Sequence, residues 1–218
     1  MPQVVILAGG LGTRLGEVTE KIPKSLVEVN GKPIISHILD WALKQRCKNA
    51  LILTGYLGEM FDNFTHEMEL VFIQENEPLG TGGALWNAKE SLENEFILLW
   101  GDDYHPINYN LLVSEHRRKN SQLTMTVTES HKSMNLKHEN GKVIEYNKSS
   151  PAIDYNGYEA GTSIVSKRIV ETYGKKGKWS WEETVYPALS GEIIAHIDNT
   201  KFWDMGTPER LQILENFF

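Results

Sequence analysis

Cysteine is nearly missing from this chain: Cys47 stands alone among 218 residues. One thiol cannot form an intrachain disulfide and argues against a cysteine-based metal site, so it reads as a buried spectator. No apolar run approaches the roughly 18 residues of a membrane span. Met1-Pro2-Gln3 leads straight into an apolar run without a basic n-region, which does not read as a signal peptide. Positive charge is also short. Lys and Arg number 22 against 29 Asp and Glu, a net charge of −7, which argues against the broad basic face of a nucleic-acid binder. A small phosphorylated ligand needs only two or three well-set cations, so a small substrate remains open. There is no internal repeat, low-complexity tract or Pro/Ser-rich linker. Length and ordinary composition predict one large cytoplasmic domain spanning 1–218, with no membrane or nucleic-acid partner. Whether it forms a homo-oligomer is not readable.

The first half alternates short apolar runs with amphipathic stretches. Val4–Leu7, Ala50–Thr54, Leu70–Ile73 and Phe96–Trp100 read as strands. Pro33 opens a helix carried by Ile34, Ile35, Ile38, Leu39, Ala42 and Leu43, and Gly82–Leu92 reads as a second. The later half offers strands at Thr124–Thr128, Lys142–Asn147 and Gly157–Val165 with few helices between, a turn at Glu139–Lys142, and helices near Glu182–Leu189 and Pro208–Phe217. The expected fold is α/β: a Rossmann-like mixed, mostly parallel sheet flanked by helices. A small antiparallel portion forms a lid or platform beside it.

Gly9-Gly10-Leu11-Gly12-Thr13-Arg14-Leu15 follows the first strand directly. Glycines there let backbone N–H groups approach phosphate oxygens, and ligands of open α/β sheets sit at the carboxyl ends of strands. A plain tight turn explains one glycine but not three plus an arginine. The dinucleotide fingerprint wants glycine where Leu15 stands, and no stretch supplies a P-loop.

This loop, followed by Ile22-Pro23-Lys24-Ser25-Leu26 and Gly31-Lys32-Pro33, resembles the signature of sugar-1-phosphate nucleotidylyltransferases. Further blocks agree in order: Pro78–Leu85, Gly101-Asp102, Glu159-Ala160-Gly161 and Trp203–Glu209. The resemblance implies attack by a sugar phosphate oxygen on the α-phosphorus of an NTP, with pyrophosphate leaving. The nucleophile is largely ionised already, its second pKa being near 6. Charge neutralisation and in-line placement are what the reaction then needs.

Arg14 and Lys24 supply the cations, which in isolation would read as surface salt-bridge partners. By resemblance Arg14 holds the triphosphate and Lys24 the attacked phosphate, with Asp102 completing the catalytic set. Leu7, Ala8, Gly9, Gly10, Gly12, Thr13, Gly80 and Thr81 frame the nucleotide. Lys24, Gly101, Lys148, Glu159 and Gly161 meet the sugar phosphate in the antiparallel, sugar-binding portion. Asp102 and Asp204 hold Mg²⁺, a hard ion suited to one or two carboxylates plus phosphates. Asp103 competes with Asp102 and otherwise caps a helix; Asp204 otherwise caps the helix at Thr207-Pro208-Glu209. The run after Lys148, Ser149-Ser150-Pro151, departs from the family pattern. Glu182 is either a substrate-positioning group or an ordinary first-turn carboxylate.

The chain looks most like the heptose-1-phosphate guanylyltransferases, which implies GTP and manno-heptose 1-phosphate. Its Gly12–Glu17 stretch is also similar to glucose-1-phosphate cytidylyltransferases, and uridylyl or thymidylyl transfer to a hexose 1-phosphate stays open. The short stretch after Asp204 predicts a stand-alone transferase without a C-terminal acyltransferase or β-helix domain. Rivals are a dinucleotide oxidoreductase, a non-catalytic nucleotide-sugar binding protein, and an interaction module using the Trp179/Trp181 pair, for which core burial is the plainer use.

Overall fold

Val4, Val5 and Ile6 are all closed to solvent, which is why this run shows no hydrophobic alternation: both faces of its strand are covered. The computed structural model describes residues 1–218. Its first half runs β1 (Gln3–Ala8), a ribbon of β2 (Glu28–Val29) and β3 (Lys32–Pro33), α1 (Ile34–Lys44), β4 (Asn49–Thr54), β5 (Glu69–Gln74), α2 (Gly80–Asn87) and β6 (Glu95–Trp100). The second half continues through β7 (Asp103–Tyr104), α3 (Tyr109–Arg118), β8 (Leu123–Thr128), β9 (Leu136–Glu139) and β10 (Lys142–Tyr146). It ends with β11 (Tyr158–Ser166), α4 (Lys167–Tyr173), α5 (Trp181–Ala188), β12 (Ile194–Ile197), β13 (Trp203–Asp204) and α6 (Pro208–Glu215).

Nine strands join in the order β5-β4-β1-β6-β11-β8-β12-β10-β9. The β5-β4-β1-β6 segment is parallel throughout. Only β10 and β11 run against the other seven, so the sheet is mixed and mostly parallel, flanked by helices. The later strands lie beside the parallel half in one mixed sheet. They extend the same sheet, because β11 pairs directly with β6 over Thr162–Ser166.

Alternate residues of each strand feed two cores. Val4, Ile6, Ile97, Leu99 and Ile164 pack with side chains of α1, α3 and α6 on one face. Val5, Leu51, Leu98, Met125 and Val165 pack with those of α2, α4 and α5 on the other. Cys47 is a buried free thiol, pushed up to about 11 by burial.

Several boundaries differ from the sequence reading. Pro33 sits at the cap of α1, closing the β2/β3 ribbon, and the helix proper begins at Ile34. The second helix starts at Gly80 and stops at Asn87, leaving a 3₁₀ turn at Lys89–Ser91. Helices α3 and α4, and strands β9 and β12, carry weaker periodicity and escape the sequence reading.

Candidate active site

Most loops that reach the main cleft leave the carboxyl end of a strand; Lys178 comes instead from the loop between α4 and α5. The loop after β1 brings Gly9 to Arg14, the loop after β5 brings Glu75, Pro78, Gly80 and Thr81, and β6 ends in Trp100, Gly101 and Asp102. Leu7, Ala8, Lys24, Ser25, Ala84, Lys178 and Gly206 complete the walls of a cleft of about 430 Å³, large enough for a nucleotide-sized ligand.

The glycine loop has a structural reason for its shape. Gly12 adopts φ 64°, and a Cβ there would stand 2.9 Å from Thr19 Cγ2, so only glycine fits without strain. Thr19 Oγ1 donates to the Gly12 carbonyl at 2.9 Å, and buried Leu15 anchors the following turn. Arg14 is left exposed on the cleft wall.

Glycines of the second loop divide their work. Gly80 has φ 69° and its missing Cβ would meet the Trp179 carbonyl at 2.6 Å. Gly82 and Gly83 serve packing, against the Trp179 ring and the Gly177 carbonyl, and only Gly80, Thr81 and Ala84 of this stretch line the cleft. The Thr81 hydroxyl also accepts the Trp181 N–H at 2.8 Å, tying α2 to α5. Trp179 and Trp181 are buried, with ring centroids 6.4 Å apart; core packing accounts for both.

Lys24 and Asp102 meet in an ion pair. Gly101 lies beneath them, its N–H donating to the Leu7 carbonyl at 2.9 Å; it does not line the cleft, and a Cβ on it would strike Ser25 Oγ. Asp103 caps no helix; its Oδ2 lies against Gly161, where a Cβ would stand 2.9 Å from it, and Asn108 caps α3 instead. Burial, then the charges of Asp102 and Asp204, push the Asp103 carboxyl well above the usual carboxylate range.

Asp204 is brought close by main-chain pairing. Strand β13 pairs with β7 so that Asp204 faces Asp103, and the Met205 N–H donates to the Asp102 carbonyl at 3.1 Å. Thr207, not Asp204, caps α6, with Pro208 at its start. No three side chains gather into a metal cluster by themselves. The donors present are hard carboxylate oxygens crowded enough to perturb Asp103, and they fit a Mg²⁺ ion whose remaining ligands are phosphates and water.

Lys148, Glu159 and Gly161 belong to a second group outside the cleft lining. A register shift of β11 against β8 lies between Glu159 and Ser163, with Gly161 inside it. The Gly161 N–H donates to Glu159 Oε1 at 2.9 Å. Glu159 is pushed up to about 7 by burial and then by Glu182, against the opposing pull of Lys148. Lys148 Nζ donates to Glu182 Oε1 at 2.8 Å. Burial lowers the Lys148 pKa, but Glu182 outweighs it and holds the ammonium above its usual range. Glu182 is thus both a first-turn carboxylate of α5 and the partner of Lys148. The buried Tyr146 hydroxyl, near Glu159 and Glu182, has no hydrogen-bond partner in the protein.

Sequence reasoning missed Glu75, Ser25, Trp100 and Lys178. Glu75 was findable, since it directly follows a strand whose carboxyl end faces the cleft; Lys178 comes from a distant loop and had no local signal.

The nucleotidyl transferase family model matches residues 3–153. The chain belongs to this family. Within it, the chain is 28% identical to the D-glycero-alpha-D-manno-heptose 1-phosphate guanylyltransferase of Aneurinibacillus thermoaerophilus, over 95% of this chain and 94% of that one. It is 31% identical to the mannose-1-phosphate guanylyltransferase catalytic subunit beta of Drosophila pseudoobscura pseudoobscura, over 95% of this chain but 60% of the relative. Among solved structures, HddC from Yersinia pseudotuberculosis complexed with GMP-PN superposes with a TM-score of 0.84 at 31% identity, covering all of both chains.

Proposed function

We propose that this nucleotidyl transferase moves a guanylyl group from GTP to a sugar 1-phosphate, with manno-heptose 1-phosphate favoured, and releases pyrophosphate. The observation that carries the reading is the Lys24–Asp102 pair, set where the phosphate loop meets the end of β6. A cation and a carboxylate at that point suit a transferring phosphoryl group flanked by a metal ion. Arg14 forks across the triphosphate, and the loop N–H groups of Gly9 to Thr13 donate to its remaining phosphate oxygens. Lys24 neutralises the attacked α-phosphate. Lys148 draws in the sugar phosphate, while the Glu159 carboxylate accepts from sugar hydroxyls beside Gly161. Asp102 and Asp204 would hold Mg²⁺, which supplies charge neutralisation at the α-phosphate and the leaving group. Residues 1–218 act as one domain built on one sheet, in the cytoplasm where NTPs are made available.

Glu75 supports guanine as the base. Its Oε2 accepts the Leu79 N–H at 3.2 Å, and Oε1 lies beside Gly9 at the cleft edge. A carboxylate only accepts, so it complements the adjacent N1–H and N2–H donors of guanine. Adenine, cytosine and uracil each offer a single donor group on that edge, flanked by acceptors, and none matches the adjacent pair of guanine. The sugar rests on the heptose-specific names of the relatives.

The test is pyrophosphate release with Mg²⁺, crossing ATP, GTP, CTP, UTP and dTTP against sugar 1-phosphates that include manno-heptose. GTP with heptose is the expected pair. Glu75→Gln should lower kcat/KM for GTP by roughly 10- to 100-fold, the worth of one to two charge-assisted hydrogen bonds. Retained GTP preference in that variant removes Glu75 from base selection; UTP or CTP as the wild-type substrate overturns the guanylyl reading itself.

A further inference from the structure

Neither proposed metal carboxylate is presented bare. Lys24 pairs with Asp102, and Arg210 pairs with Asp204. Arg210 Nη1 donates to Asp204 Oδ1 at 2.7 Å and to Oδ2 at 2.8 Å, while the Gly206 N–H donates to Oδ1 at 2.8 Å. Both oxygens of Asp204 are therefore already engaged by a cation of the chain.

The two pairs differ in their surroundings. The Lys24 side chain is only 12% exposed and lines the nucleotide cleft. The Arg210 side chain is 50% exposed and lines an outer groove of about 630 Å³ with Phe202, Lys201 and Asp204 itself. Its backbone is fixed in the first turn of α6, where its N–H donates to the capping Thr207 hydroxyl. The guanidinium can thus swing outward without any change in the helix.

We infer that Arg210 is a built-in competitor of the divalent ion: it holds both oxygens of Asp204 and yields the carboxylate when the ion arrives. This rests on the reading of Asp204 as a metal ligand. An exposed ion pair of this kind is only marginally favourable, so a dication held also by Asp102 and phosphate oxygens displaces it. Until it leaves, the guanidinium opposes the ion by like-charge repulsion, and apparent metal affinity carries that handicap. Arg14 adds to the crowding: a Cβ on Gly206 would stand 3.3 Å from Arg210 Nη1 and 3.5 Å from Arg14 Nη2. Arg210 is on this account a positioning residue.

Mn²⁺ binding to the full chain, saturated with a non-hydrolysable GTP analogue and followed by water-proton relaxation, tests this without turnover. Arg210→Ala should bind Mn²⁺ roughly three- to tenfold tighter than wild type, and Arg210→Lys should fall between them. In an Asp204→Asn background, Arg210→Ala should change nothing. Unchanged or weaker Mn²⁺ binding in Arg210→Ala, while Asp204→Asn alone weakens it, overturns the competitor role and leaves the metal reading intact. Unchanged binding in Asp204→Asn overturns the metal reading, and the competitor role with it. Melting curves of each variant confirm that folding is not the cause.

Discussion

The two sides of this site are built from different materials. The nucleotide side is mostly backbone: loops from β1 and β5, shaped by Gly12 and Gly80, with Arg14, Glu75 and Lys178 as its charged side chains away from the Lys24–Asp102 pair. The acceptor side is mostly side chains, with Glu159, Glu182 and Tyr146 buried together and the exposed Lys148 paired to Glu182. A triphosphate is a dense, uniform charge that repeated N–H groups can recognise. A sugar is neutral except for its phosphate, and its hydroxyls must be picked out one at a time by placed carboxylates. The division teaches that charge is read by the chain's geometry and stereochemistry by its side chains.

The seam between the sides is where the largest effect is expected. Lys24→Ala should lower kcat by about 10²–10³-fold, the usual loss when one fixed charge is removed from a transferring group. Both KM values should stay within about threefold, since Lys24 belongs to neither side's ground-state recognition. Steady-state kinetics with each substrate varied measures this. A rise in one KM with kcat preserved would move Lys24 off the seam and onto that substrate's side.

The same division explains what the sequence made legible. The nucleotide side is written in short segments: three glycines with Arg14, then Lys24, then Gly80-Thr81, each beside the strand end that displays it. The parallel strands β1, β4 and β6 were equally plain, because burial on both faces removes alternation. The acceptor side is gathered from Lys148, Glu159, Glu182 and Asp204, on four elements whose meeting depends on β11 joining β6 and β13 joining β7. Nothing local in the sequence announces those pairings, so the later strands could be placed beside the parallel half but not joined to particular partners. Roles could be assigned to Lys148 and Glu159 by resemblance, but their link through Glu182 required the fold.

A smaller effect sharpens the acceptor side. Glu159 is pushed up to about 7 by burial, so the carboxylate that would accept from sugar hydroxyls is lost as pH falls below that value. kcat/KM for the sugar phosphate should decline through this range, whereas kcat/KM for GTP should not. Glu159→Gln should raise the acceptor KM about tenfold and flatten that profile. Stability follows with a fixed sign. The folded-state pKa lies above the unfolded value, so stability is fully present below about 4.5 and is lost as pH rises through about 7. At about pH 8 the neutral variant should therefore be the more stable, by up to about 3 kcal/mol. A variant less stable than wild type at that pH would mean that the buried charge is better compensated than its surroundings indicate.

The smallest effect lies farthest from the cleft and marks where the comparison ends. Strands β9 and β10, at the edge of the mixed half, are joined through Asn140 (φ 53°) and Gly141 (φ 73°), the pair of positive φ values that a two-residue hairpin turn requires. A Cβ on Gly141 would meet nothing within 4 Å, so Gly141→Ala carries only the backbone penalty of a left-handed residue, about 1 kcal/mol. For a chain of this size that is a fall of about 2–4 °C in Tm. Turnover and both KM values should be unchanged, because the turn itself contributes no side chain to either side of the site. If Gly141→Ala instead raises the acceptor KM, β10 transmits its position to Tyr146 at its far end, and the acceptor side would extend along the strand to the sheet edge.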